Sequence, residues 1–294
     1  MSITGFAPRI QPGPVQAQSA PIQSTLKSTA HYLMQTEVHT FAFSVAANAV
    51  LSFFPFVVLL MTLIRRVIRS KTMYDVVVEL LRDYLPAGQD FVIRNLNAVV
   101  GARHRAQIAS LVILLVTSTG IFLPLEVALN RIWGFTKDRS YIGNQAMSLL
   151  LAFSCGVLTL LSVAGSAGNI HYLGSILGGE QNVLVRFVGF LVMKIFAIGT
   201  SIAIFFLVYW LLPHGKVRAA AVLPSAVIMG LLSEALKYGY ILALPWLDFQ
   251  EVYGPFALSV TLMFWAFLSG MLLLTGAHLS AQQNRRAIAA SVRY

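Results

Sequence analysis

Charge is what this chain has least of. Only 11% of its residues are Asp, Glu, Lys or Arg, where a soluble globular domain carries about 25%. An ordinary water-soluble fold is thereby excluded. Cysteine is reduced to Cys155, so no disulfide can form within the chain and the redox compartment is not legible from it. The sequence motifs of catalysis are missing too. There is no G-x-x-x-x-G-K-[ST] phosphate loop, and Gly178–Gly179 has no Lys after it. There is no G-x-S-x-G nucleophile elbow. The histidines, at positions 31, 39, 104, 171, 214 and 278, have no mutual spacing suited to a metal. Outside Arg65–Ala106 the only aspartates are Asp138 and Asp248, which argues against a metal-dependent nuclease. No cofactor and no enzymatic activity are expected.

Apolar residues fill the space that charge leaves. The chain is 57% hydrophobic, with a mean hydropathy of +0.74. Six long apolar runs stand out: Val38–Ile64, Gln107–Leu125, Ala146–Gly165, Phe187–Leu212, Ala219–Tyr240 and Phe256–Leu274. A bilayer core takes about 20 helical residues at about 1.5 Å each, so each run can span it. The pattern predicts an all-α fold: one polytopic membrane bundle of six transmembrane helices. The first 20 residues contain no apolar segment, so insertion is expected to be directed by the first span.

Residues 1–23, rich in Pro, Gln, Ser and Ala, are expected to be a disordered tail. The membrane domain is expected over 24–282 and a basic tail over 283–294. From Ser24 a short amphipathic helix is predicted to lie along the membrane surface, with Leu26, Ala30, Leu33 and Met34 on its apolar face. Between the first two spans, residues 65–106 read as two amphipathic helices joined at "LPAG". They form a small extramembrane cap. The four glycines of Gly168–Glu180 read as a loop after the third span.

The net charge of +10 could suggest nucleic acid. The basic residues instead gather at the ends of spans, as at Arg65, Arg66, Arg69 and Lys71 or at Arg285 and Arg286, and membrane lipids are the expected partners. Six spans put both termini on one side. That side holds Arg9, Lys27, Arg131, Lys137, Arg139, Lys216, Arg218, Arg285, Arg286 and Arg293, and the positive-inside rule makes it cytoplasmic. The segment 65–106, with eight basic and four acidic residues, points the other way.

Ionisable residues inside spans are costly and draw attention. Lys194 lies in the fourth span, and Glu234 and Lys237 share a face of the fifth. Antiparallel packing puts all three in the non-cytoplasmic half, within reach of one another. They form either a polar site for a charged substrate or head group, or a structural ion pair with snorkelling lysines. The first span holds Asn48 and Pro55, which removes a backbone donor and kinks the helix, with Ser52 a candidate to satisfy the freed carbonyl. Glu126 and Asn130, four apart, read as an interfacial helix end anchored by Trp133. His278 reads as a dipole partner at the end of the last span. Small residues four apart (Ser162 and Ser166, Ala226 and Gly230, Ala266 and Gly270) permit close helix approach.

Four segments carry a resemblance: "AANAVLSFFPFVVLLMTLI" (Ala46–Ile64), "LNRIWG" (Leu129–Gly134), "VYGP" (Val252–Pro255) and "FWAFLSGMLLLTGAHLSA" (Phe264–Ala281). In order and spacing, from Thr36 to Arg286, the chain resembles the BrkB/YihY family of bacterial inner-membrane proteins. The resemblance implies six spans, cytoplasmic termini and a helical first extracytoplasmic connection. It also implies a family once mislabelled ribonuclease BN, with members linked to serum resistance or to envelope lipid transport and no agreed substrate. The family commonly has Glu where this chain has His278, so a role carried by that carboxylate does not transfer. The leading expectation is a transporter or handler of an amphipathic envelope molecule such as a lipid. The alternative is a non-transporting scaffold or accessory subunit working through the cap.

Overall fold

The computed structural model describes residues 22–84, 89–101, 104–136, 139–176 and 183–291, and among them every regular element is helical. The helices are α1 (Ile22–Leu33), α2 (Thr36–Leu63), α3 (Lys71–Tyr84), α4 (Gln89–Gly101), α5 (His104–Trp133), α6 (Tyr141–Ile176), α7 (Val183–Leu211), α8 (Ala219–Leu247), α9 (Phe249–Tyr253) and α10 (Ala257–Ser291). Among the described residues five helical segments are long and apolar enough to cross a membrane, namely α2, α6, α7, α8 and the α9–α10 stretch. The run Gln107–Leu125 lies in α5, a helix of 30 residues. Most of its first half is outside the residues whose side chains are described. The tail expected over 1–23 also lies outside the described residues, apart from its last two, which begin α1.

Several expected boundaries move. Gly165 and Gly168 do not end the third run: α6 continues to Ile176, and 177–182 lie outside the described residues. Glycine interrupts a helix weakly when the segment cannot expose its backbone to lipid. α10 runs through most of the expected basic tail. Pro55 does not end α2. The Ser52 hydroxyl donates to the carbonyls of Asn48 (2.8 Å) and Ala49 (3.1 Å), not to that of Leu51, whose partner the proline removes.

The six long helices form a closed ring in which α2 touches α5, α5 touches α6, and so on through α7, α8 and α10 back to α2. The main core sits at the end nearest α1. It joins Val38 and Ala42 of α2, Leu125 and Leu129 of α5, Tyr209 and Leu212 of α7, Val222 and Met229 of α8, and Leu274 and Ala277 of α10. The buried described residues of α7 all fall in its last turns, from Phe205 onward, with Leu212 just beyond its end. The opposite half of α7 packs loosely. A second core joins the far end of α2 to α3 and α4, through Met61, Ile64, Val76, Val77, Leu81, Val92, Leu96 and Val100, with Val163 of α6.

Two sets of small residues mark close approaches. A Cβ on Gly230 would stand 3.0 Å from the backbone N and Cα of Ile202 on α7, and one on Gly270 would stand 3.4 Å from the backbone of Ala42 on α2. Gly230→Ala is expected to force α7 and α8 apart and cost about 1–3 kcal/mol, the usual range for overpacking. Its thermal midpoint in detergent should fall, whereas Gly239→Ala, with open space around it, should leave the midpoint unchanged. At the α9–α10 turn Gly254 takes φ +51°, a backbone region that favours glycine. It lets "VYGP" redirect the chain into α10.

α1 packs on the bundle through one side and leaves Ala30 and Met34 of its apolar stripe facing outward. Thr29 is buried and Tyr32 and Leu33 are half-buried, while Ala30 and Met34 are exposed. The reason is a partner on another helix: the Tyr32 ring stacks on His278 of α10, centroids 4.4 Å apart.

Candidate functional site

Lys194, Glu234 and Lys237 come together between α7 and α8. Lys237 Nζ lies 2.5 Å from Glu234 Oε2, three residues earlier on the same helical face. Lys194 Nζ reaches the same oxygen at 3.9 Å from the neighbouring helix. It also hydrogen-bonds the Tyr238 hydroxyl and stands over the rings of Tyr238 (4.5 Å) and Phe190 (5.4 Å). The side chains are 22%, 14% and 8% exposed for Lys194, Glu234 and Lys237. Two ammonium groups share one carboxylate midway along two apolar helices.

An apolar cavity of about 620 Å³ opens between α2, α5 and α6. Ser52, Phe53 and Phe56 line it from α2, Phe122 from α5, and Ala152, Cys155 and Gly156 from α6. Pro55 precedes Phe56 in α2 and is not itself among the lining residues. Asn48 lies just beside the wall, donating to the Ser44 carbonyl at 2.9 Å. The Asn48 amide sits so closely over Gly120 of α5 that any side chain there would collide with it. Phe153, on the rim, is exposed.

Glu126 and Asn130 face into the bundle. Each is 2% exposed, inside the bundle at the α1 end. In the orientation that satisfies both ends of its amide, Asn144 of α6 donates to Glu126 Oε1 and Oε2 at 2.9 and 2.7 Å. Arg139 approaches Glu126 at 3.9 Å and donates to the carbonyls of Leu211 and Pro213 at 3.0 and 3.1 Å. Asn130 accepts from the backbone N–H of His214 at 2.8 Å. Polar groups excluded from water need such partners. Here the partners tie α5, the start of α6 and the α7–α8 connection together. Trp133, half-buried, packs against the same core. Sequence reasoning missed Arg139 and Asn144 because their partners lie on other helices.

His278 is not at a helix end, because α10 continues to Ser291, so the expected dipole partnership does not apply. Besides stacking on Tyr32, its Nε2 lies 2.7 Å from Gln282 Nε2, which also donates to Ser28 of α1 at 2.8 Å. Among the described residues no group of three or more His, Cys, Asp or Glu side chains is placed to hold a metal ion.

The family described as virulence factor BrkB matches residues 29–292. The chain is similar to a UPF0761 membrane protein of Pseudoalteromonas translucida (strain TAC 125), 26% identical over 205 residues, 69% of this chain and 66% of that protein. A UPF0761 membrane protein of Acinetobacter baylyi is 25% identical over 67% of this chain and 47% of its own length. One of Pseudoalteromonas atlantica is 24% identical over 79% of this chain and 76% of its own. The chain spans roughly half to two thirds of the length of the first few curated relatives it matches. Their names state a membrane protein and no activity. No solved structure matches the chain.

Proposed function

The chain belongs to the virulence factor BrkB family of membrane proteins, and from that premise we propose that it takes an amphipathic envelope molecule, such as a lipid, into the wall of its bundle. On this reading α2, α5, α6, α7, α8 and α10 cross a bacterial inner membrane, which makes six crossings. Both termini lie in the cytoplasm. α3 and α4 form a cap over the outer face. The ring of six helices supports the count, since it closes only when α5 is included. The basic residues at the α1 end support the orientation.

The observation that carries the proposal is the apolar cavity between α2, α5 and α6. Ligand sites typically measure about 300–1,000 Å³ and are mostly apolar; this one, at about 620 Å³, opens in helices whose surroundings are hydrocarbon. An acyl chain suits it by composition and depth. The Lys194–Glu234–Lys237 cluster on α7 and α8 is the candidate contact for a charged head group, since an ionisable residue within a span is a functional-site hypothesis by default.

Filling the cavity tests this. At Gly156 an added Cβ meets only Phe56, at an ordinary 3.7 Å, so a larger side chain can enter without breaking the backbone. Gly156→Phe and Ala152→Phe are expected to abolish transfer of a fluorescent phospholipid between the leaflets of proteoliposomes, with folded yield maintained. Wild-type transfer rates in both variants would overturn the proposal.

A further inference from the structure

We infer that the α1 end of the bundle holds a second, separate site, for the phosphate of an anionic phospholipid head group, walled by Tyr32, Glu37, Arg131, His278 and Arg285. These residues line a cavity of about 260 Å³ at the junction of α1, α2, α5 and α10. That is many times a water's share of about 30 Å³ and just under the usual drug-sized range of about 300–1,000 Å³. It suits a head-group fragment and is too small for a polypeptide segment.

The chemistry of the walls selects the ligand. Two guanidinium groups enter from different helices. Arg285 donates to the Ile132 carbonyl, at the end of α5, at 2.9 Å. That bond uses one N–H of five and holds the side chain against the cavity. Arg131 pairs with Glu37 at 2.6 Å and lies over the Phe41 ring at 5.7 Å. Two cations face one carboxylate, so an anion is favoured. The planar guanidinium fork matches a phosphate's oxygens in two-point hydrogen bonds. Tyr32 adds a neutral donor: burial first, then the charge of Glu37, pushes its hydroxyl up to about 12.

A lipid fits better than a free phosphate because of what borders the cavity. Met34, the residue before Gln35 on the cavity wall, is 80% exposed, so an apolar side chain stands in the open next to a wall residue of this cavity. A surface that offers cations and hydrocarbon together matches a membrane interface. The inference does not depend on lipid handling by the α2–α5–α6 cavity.

The test is lipid retention by the full-length protein in detergent, read by native mass spectrometry after supplying phosphatidylglycerol or phosphatidylcholine. Wild type should retain phosphatidylglycerol in preference. Arg285→Gln should lower that retention about tenfold, the effect of losing one strong charge-assisted contact, and Arg285→Lys should restore part of it. Glu37→Gln, which frees Arg131, should raise retention. Phosphatidylcholine should not respond to any of these changes. Equal retention of the two lipids by wild type, or no response to Arg285→Gln, overturns the site. Should Arg285→Gln fail to fold, Glu37→Gln decides alone: unchanged or lower phosphatidylglycerol retention overturns the site. Excess inorganic phosphate should leave the lipid bound; if it displaces the lipid, the pocket reads a free phosphate and the lipid assignment falls.

Discussion

Glu126→Ala is expected to leave little folded protein. The carboxylate is 2% exposed and faces Arg139, which also holds the last carbonyls of the α7 end. Deleting it leaves a guanidinium in the interior with its carboxylate gone. Breaking a buried ion pair from one side costs about 3–5 kcal/mol, out of a total stability of about 5–15 kcal/mol. The Asn144 amide loses its acceptor in the same change. The thermal midpoint of purified protein should drop steeply and the monodisperse yield with it. Glu126→Gln keeps an acceptor for Asn144 and should fall between. A wild-type midpoint for the alanine variant would mean that this network does not hold the α5–α6–α7 junction together.

The second large effect is expected at Glu234. Both Lys194 and Lys237 draw on its Oε2, and Lys237 is the least exposed of the three. Glu234→Ala removes that carboxylate from a site surrounded by hydrocarbon, and the same range of about 3–5 kcal/mol applies. Stability alone does not separate a structural ion pair from a working polar site, so a second variant is needed. Lys194→Met, Glu234→Met and Lys237→Met together remove all three charges and roughly keep the volume, a replacement of a whole buried ionic group that is often neutral for stability. It should recover the thermal midpoint and still fail to move a phospholipid between leaflets. Wild-type transfer by this triple variant would reduce the triad to a packing device. An unshifted midpoint for Glu234→Ala would show instead that the lysines reach water on their own.

Part of this site was legible in the chain. The Lys194–Glu234 approach followed from depth alone: two antiparallel helices, each crossing one apolar slab, bring residues of equal depth together. The Glu126 network was not legible, because its members, Glu126, Arg139 and Asn144, are polar residues near the ends of apolar runs, where interfacial exposure is the ordinary reading. The inward face of α1 was not legible either. Its periodicity offers a stripe through Ala30 and Met34, yet the aromatic stack of Tyr32 on His278, with Gln282 reaching Ser28, turns it the other way. The ligand-sized cavities had no signal at all in the order of residues.

By itself the sequence determined that the protein is helical, built for a bilayer and charged at the ends of its apolar runs, because hydropathy and helix length are local quantities that lipid enforces on each segment separately. Only the tertiary structure decided which side chains meet. A helix that is apolar all round carries no mark of the stripe it turns to its neighbours. The rotation of each helix in the ring, and with it the placing of Glu126 inside, Met34 outside and an empty apolar space between α2, α5 and α6, is set by contacts among residues far apart in the chain.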